Sequence, residues 1–185
     1  MKVPPLPTLV TCGNLAAGFL ALLLAIEGNY SWAAGLVVVA AGLDLLDGAV
    51  ARGSGTEGDF GCNLDSLADL VSFGVAPVAT IYLSSLHSLT VVGAAAGIFY
   101  VVCGALRLAR FPLVKSPDHF VGLPIPPAGV ALAVLALLGL NLLLVVAATV
   151  VLGLLMVSEV PFPKTFNGLL PERSRDKKRP STEDL

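Results

Sequence analysis

Residues 44–69 read DLLDGAVARGSGTEGDFGCNLDSLAD, and this stretch decides the fold. It sets four carboxylates, Asp44, Asp47, Asp65 and Asp69, beside apolar runs that otherwise almost lack charge. Ionisable groups at membrane depth are costly and mark a functional site by default. Gly48, Ala51, Arg52 and Gly61 stand at fixed offsets from the acids, which sets the group apart from surface decoration.

Outward from that stretch, the composition is that of a membrane protein. Of 185 residues, 56% are hydrophobic and 13% charged, with mean hydropathy +0.87. A soluble domain has about a quarter of its residues charged. The apolar runs predict an all-α polytopic membrane protein with six transmembrane helices, at 8–26, 31–51, 65–84, 89–109, 124–140 and 142–160. Each is close to the about 17–25 residues that cross a bilayer. Only Gly139, Leu140 and Asn141 separate the last two, so one long kinked helix is the alternative there.

Six spans place both termini and the loops after spans two and four on one side. All eleven basic residues, from Lys2 through Arg52, Arg107, Arg110 and Lys115 to the cluster ending at Arg179, then fall at that side. The positive-inside rule makes it cytoplasmic, with Tyr30, Trp32 and Tyr82 at the opposite interface. The acids would thus face the cytoplasm from the cell membrane. The expected organisation is an interfacial segment at 1–7, a six-helix catalytic domain at 8–160 and a polar cytoplasmic tail at 161–185. The first apolar run is longer than a signal-peptide core and is expected to be a retained span. Cys12, Cys62 and Cys103 lack paired spacing and read as structural thiols, and His87 and His119 receive no role. Nothing points to nucleic acid.

On a helix, Asp44, Asp47, Gly48 and Ala51 fall in one stripe. It carries two carboxylates followed by two residues small enough for a ligand to lie against the backbone. The glycine-rich turn at 53–58 breaks the helix, and Asn63 is the expected N-cap of span three. Asp65 and Asp69 follow at i and i+4. Two such helices facing each other converge oxygen-rich side chains that suit hard divalent cations. Two cations would clamp a diphosphate, and the least engaged carboxylate could take a proton from an attacking hydroxyl. Arginine pairing does not explain the cluster, because only Arg52, Arg107 and Arg110 are near enough to compete for it. The rival from another class is a divalent-metal transporter. It leaves the Gly48/Ala51 shelf unexplained and predicts a site at the bilayer midplane.

The pattern D-x2-D-G-x2-A-R-x8-G-x3-D-x3-D, filled by Asp44, Asp47, Gly48, Ala51, Arg52, Gly61, Asp65 and Asp69, resembles the signature of the CDP-alcohol phosphotransferase family at every fixed position. The resemblance implies six membrane helices, two divalent cations (Mg2+ or Mn2+), a homodimer, and transfer from a CDP-linked lipid to an alcohol with release of CMP. It implies Asp44, Asp47 and Asp65 as metal ligands and Asp69 as an adjacent ligand and general base. Gly48, Ala51, Arg52 and Gly61 would seat the CDP-lipid together with Asp44.

The flanks TCGNLAAGF (11–19), LDSLADLVSFGVAP (64–77), LRLARF (106–111) and FVGLPIPPA (120–128) resemble the CDP-diacylglycerol–serine O-phosphatidyltransferase branch. That branch implies L-serine as acceptor, phosphatidylserine or an archaeal equivalent as product, and Thr11 and Asn14 facing the CDP-lipid. A serine carboxylate and a lipid phosphate call for arginine forks. Arg107 and Arg110 are placed for this, with Lys115 behind them and Ser72 at the acceptor pocket. Glycerol-3-phosphate and inositol phosphate are the alternative acceptors, and both call for a denser basic pocket.

Overall fold

The structure, a computed structural model, describes residues 5–54, 59–110, 120–158 and 161–162, with side chains at 8–46, 60–110 and 122–158. Helix α1 (Pro5–Ile26) turns through Gly28 into α2 (Tyr30–Ser54). Gly28 has φ +80, and the amides of Gly28 and Asn29 bond back to the carbonyls of Ala25 and Leu24. This is a Schellman stop, which needs a residue that tolerates the left-handed region. Helix α3 (Asp59–Asp69) runs through a π-helical segment (Leu70–Val75) into α4 (Ala76–Ser84). A 3₁₀ turn (Leu86–Leu89) leads into α5 (Thr90–Arg110). The two-residue strand β1 (Phe120–Val121) precedes α6 (Ile125–Leu135) and α7 (Leu142–Val157), and β1 pairs antiparallel with β2 (Pro161–Phe162).

Three segments are long and apolar enough to cross a membrane: Thr8–Ile26, Phe60–Ser84 and Leu86–Arg110. Tyr30–Leu46, α6 and α7 are shorter apolar helices. Helices α6 and α7 are separate, as Gly139 (φ +57) breaks the chain and Asn141 Oδ1 accepts the Leu143 amide to start α7. The single kinked helix is thereby excluded. Three other boundaries also differ from the sequence expectation. Helix α1 begins at Pro5, inside the expected interfacial segment, because proline fits a first helical turn. Helix α3 begins at Asp59, so Asn63 lies inside it and is not its cap. Phe60 extends the helical spacing of Leu64 and Leu67 upstream of Asn63. Residues 161–162 belong to the ladder with β1, and the remaining tail at 163–185 lies outside the described residues.

Where α1 and α2 pack, small side chains are buried and large ones face outward. Ala21 and Ala25 of α1 and Ala33, Ala34, Val37 and Ala40 of α2 are buried, while Phe19, Leu20, Val38 and Val39 are exposed. That is the pattern of helices that associate by close approach within lipid, where burying leucine brings no gain. Trp32 is exposed at the α1–α2 turn end, and the Tyr30 hydroxyl donates to the Leu83 carbonyl at the same end.

The π segment has a local cause. In an α-helix the Phe73 carbonyl would accept from residue 77, which is proline and has no N–H. The helix widens there, the Ala76 amide reaching back five residues to the Val71 carbonyl. The Phe73 carbonyl is taken up by the Tyr100 hydroxyl of α5 at 3.2 Å. Two glycines clear space for the widened turn. A methyl group at Gly18 of α1 would stand 2.6 Å from the Ser72 Cα, and one at Gly129 of α6 would stand 2.7 Å from the Phe73 Cα.

Two substitutions test this joint. Tyr100→Phe keeps the ring and strands the Phe73 carbonyl, so the thermal midpoint in detergent should fall by the equivalent of about 1–3 kcal/mol. Gly129→Val forces backbone apart and should lower it at least as far. An unchanged midpoint in either variant would refute the close packing described.

Candidate active site

Helices α1, α2, α3 and α5 supply the site. Asp44 comes from α2, and Asp65 and Asp69 lie one turn apart on α3, with α1 packed against both. Carboxylate oxygens of Asp44, Asp65 and Asp69 lie within 4.8 Å of one another. Asp44 and Asp65 are half-buried, while Asp69 is buried at 7% exposure. Two carboxylates 4.8 Å apart repel by roughly 3 kcal/mol at an effective dielectric of ~20. A cation among the oxygens reverses the sign of that interaction. An all-oxygen, multiply charged donor set of this kind fits Mg2+ or Mn2+ better than softer metals.

Asn14, on the buried face of α1 with Thr11, donates from Nδ2 to Asp69 Oδ1 at 3.2 Å. Its backbone carbonyl accepts from the Ser72 hydroxyl at 3.0 Å. The acid is thus tied to α1, and α1 to the π segment beyond it. Ser72 is fully buried and its hydrogen is committed to this bond. Ser72, expected at the acceptor pocket, here fastens α1 to the π segment. Arg107, near the end of α5, is half-buried and within electrostatic range of Asp69, whereas Arg110 is exposed. Of the two arginines, Arg107 is the one that acts electrostatically on Asp69.

Two buried polar atoms have no hydrogen-bond partner among the described residues: Asn14 Oδ1 and Arg107 Nε. Each such orphan costs about 1–3 kcal/mol. Gly61 is exposed, and a Cβ there would meet nothing within 4 Å, so packing gives no reason for the glycine. Asp47, Gly48, Ala51 and Arg52 lie on the backbone of α2, but their side chains fall outside the described residues, as does Lys115 altogether. Asp47 stands three residues after Asp44 and shares its helix face. Tyr100, Gly18 and Gly129 support the site from below and were not singled out in the sequence. Pro77, four residues after Phe73, is the signal that could have pointed to a partner for that carbonyl.

The family model described as CDP-alcohol phosphatidyltransferase matches residues 5–160. The chain is similar to a CDP-diacylglycerol–serine O-phosphatidyltransferase of Bacillus subtilis, 38% identical over 159 residues, covering 85% of this chain and 89% of that protein. It is also similar to one of Methanocaldococcus jannaschii, 39% identical with 88% and 76% covered. An archaetidylserine synthase of Methanothermobacter thermautotrophicus is 39% identical, with 86% and 70% covered.

The acid cluster makes a binding prediction that does not depend on turnover. Asp44→Asn should weaken Mn2+ binding to the purified protein by roughly tenfold or more, read by electron paramagnetic resonance of the free ion. Equal Mn2+ affinity in the variant and the parent would remove Asp44 from the ligand set.

Proposed function

Since the chain belongs to the CDP-alcohol phosphatidyltransferase family, we propose that it transfers a phosphatidyl group from a CDP-linked lipid to L-serine. CMP is released and phosphatidylserine or its archaeal counterpart is formed. The convergence of Asp44, Asp65 and Asp69 beside Arg107 is the observation that carries this reading. The names of the similar proteins support serine as the acceptor.

In this reading Asp44, Asp47, Asp65 and Asp69 hold the cations that the donor fit favours. Two bound divalent cations, Mg2+ or Mn2+, would supply charge neutralisation on the diphosphate. Gly48, Ala51 and Gly61 leave room for the nucleotide to approach the helix backbones, with Thr11 at the border. Arg52 and Lys115 add positive charge for the phosphates. Asp69, fixed by Asn14 through one oxygen, presents the other to the serine hydroxyl and takes its proton. The serine oxygen forms a bond to the β-phosphorus as the bridge to the α-phosphate breaks, and CMP carries away the bridging oxygen. Arg107 meets the serine carboxylate with its fork-shaped donor set. Arg110, at the surface, fits the lipid phosphate. The six helical rods would all cross or enter the bilayer with the acids facing the cytoplasm, and the protein would work as a homodimer.

CMP release from CDP-diacylglycerol by the purified protein, with Mn2+ or Mg2+, should be stimulated by L-serine and not by glycerol-3-phosphate or inositol phosphate. Stimulation by one of those instead would keep the chemistry and replace the acceptor. Asp69→Asn should lower turnover by at least about a hundredfold, the scale of general base catalysis, with CDP-lipid binding largely kept. A fully active Asp69→Asn enzyme would sink the base assignment.

A further inference from the structure

The orphaned atoms beside Asp69 have opposite polarity. Asn14 Oδ1 is an acceptor and Arg107 Nε a donor, and both residues act on the same carboxylate. Asn14 presents its NH2 to Asp69, the arrangement an ionised carboxylate requires because it only accepts, and Oδ1 is turned away from that bond. Asn14 is 1% exposed, and its Oδ1 has no partner among the described residues. A small ligand that settles both orphans carries a donor for Asn14 Oδ1 and an acceptor for Arg107 Nε, and an anionic acceptor suits the guanidinium best.

We propose that Asn14 is an acceptor-specificity residue: its Oδ1 receives the ammonium of an α-amino acid whose carboxylate lies on Arg107. The inference rests on the serine reading above and adds the residue that recognises the amino group. One amide would then touch both reacting partners. Its Nδ2 holds the Asp69 carboxylate, its Oδ1 holds the substrate nitrogen, and the hydroxyl carbon between them is brought to Asp69. Asn14 leaves the CDP-lipid contacts in which the sequence had placed it.

The test is a chemical double-mutant cycle on the full-length protein in detergent with CDP-diacylglycerol and Mn2+. L-serine and 3-hydroxypropanoate, which lacks only the amino group, serve as acceptors for the parent and for Asn14→Ala. The parent should prefer serine by roughly 10- to 100-fold in kcat/KM, the worth of one hydrogen bond to a charged group. Asn14→Ala should lose most of that preference through a raised KM for serine, with KM for CDP-diacylglycerol changed less than about twofold. A parent that uses 3-hydroxypropanoate as well as serine overturns the proposal without recourse to any variant. A variant that keeps the preference, or whose defect lies in KM for CDP-diacylglycerol, overturns it too. A parent whose CMP release no serine concentration stimulates instead overturns the serine reading, and this proposal falls with it.

Discussion

One missing hydrogen organises the middle of this protein. Pro77 offers no N–H to the Phe73 carbonyl, and within a bilayer no water replaces it. The helix between Asp59 and Ser84 therefore widens at Leu70–Val75 and hands the carbonyl to Tyr100. The wide turn is admitted only because α1 and α6 present glycine where it bulges. Ser72, on that turn, fastens the carbonyl of Asn14, and Asn14 in turn fastens Asp69. The buried acid is held in place by a chain of contacts that starts eight residues further along its own helix.

The acid pattern was legible because its parts are local. Asp65 and Asp69 are one helical turn apart, and Asp44 needs only the hairpin to face them. The helices were legible as apolar runs, to within a few residues at most ends, and three of them are long and apolar enough to cross a membrane. Position 63 was misread because asparagine is a good cap wherever a helix happens to start, and the apolar stripe from Phe60 onward decided otherwise. The bond from Ser72 to the Asn14 carbonyl was hidden because its partner lies 58 residues away. The same holds for Tyr100, 27 residues from the carbonyl it serves. Neither pairing leaves a periodic trace in the sequence.

The comparison with a transporter turns on identity more than on depth. Asp44 lies ten residues before the end of α2 and Asp69 ten residues after the start of α3, a recess of about 15 Å at the helical rise. That is deeper than a site at the rim of the spans and does not by itself separate an enzyme from a carrier. The family match over 5–160 does, and the arginine beside the acids suits an anionic substrate held next to cations.

The same recess bears on how the chain enters a membrane. Phe60–Ser84 has a mean hydropathy of 1.5, against 2.2 and 2.1 for the other two long spans. It carries two aspartates, and each costs about 2.5–3.5 kcal/mol at the centre of an inserted helix. It also brings a carbonyl that its own backbone leaves open. Alone in lipid, this segment is the poorest inserter of the three. Its acid needs the amide of α1, made before it, and its carbonyl needs the hydroxyl of α5, made after it. The helix that holds the chemistry is therefore the one whose residence in the bilayer is conferred by its neighbours, and biogenesis and catalysis draw on the same few contacts.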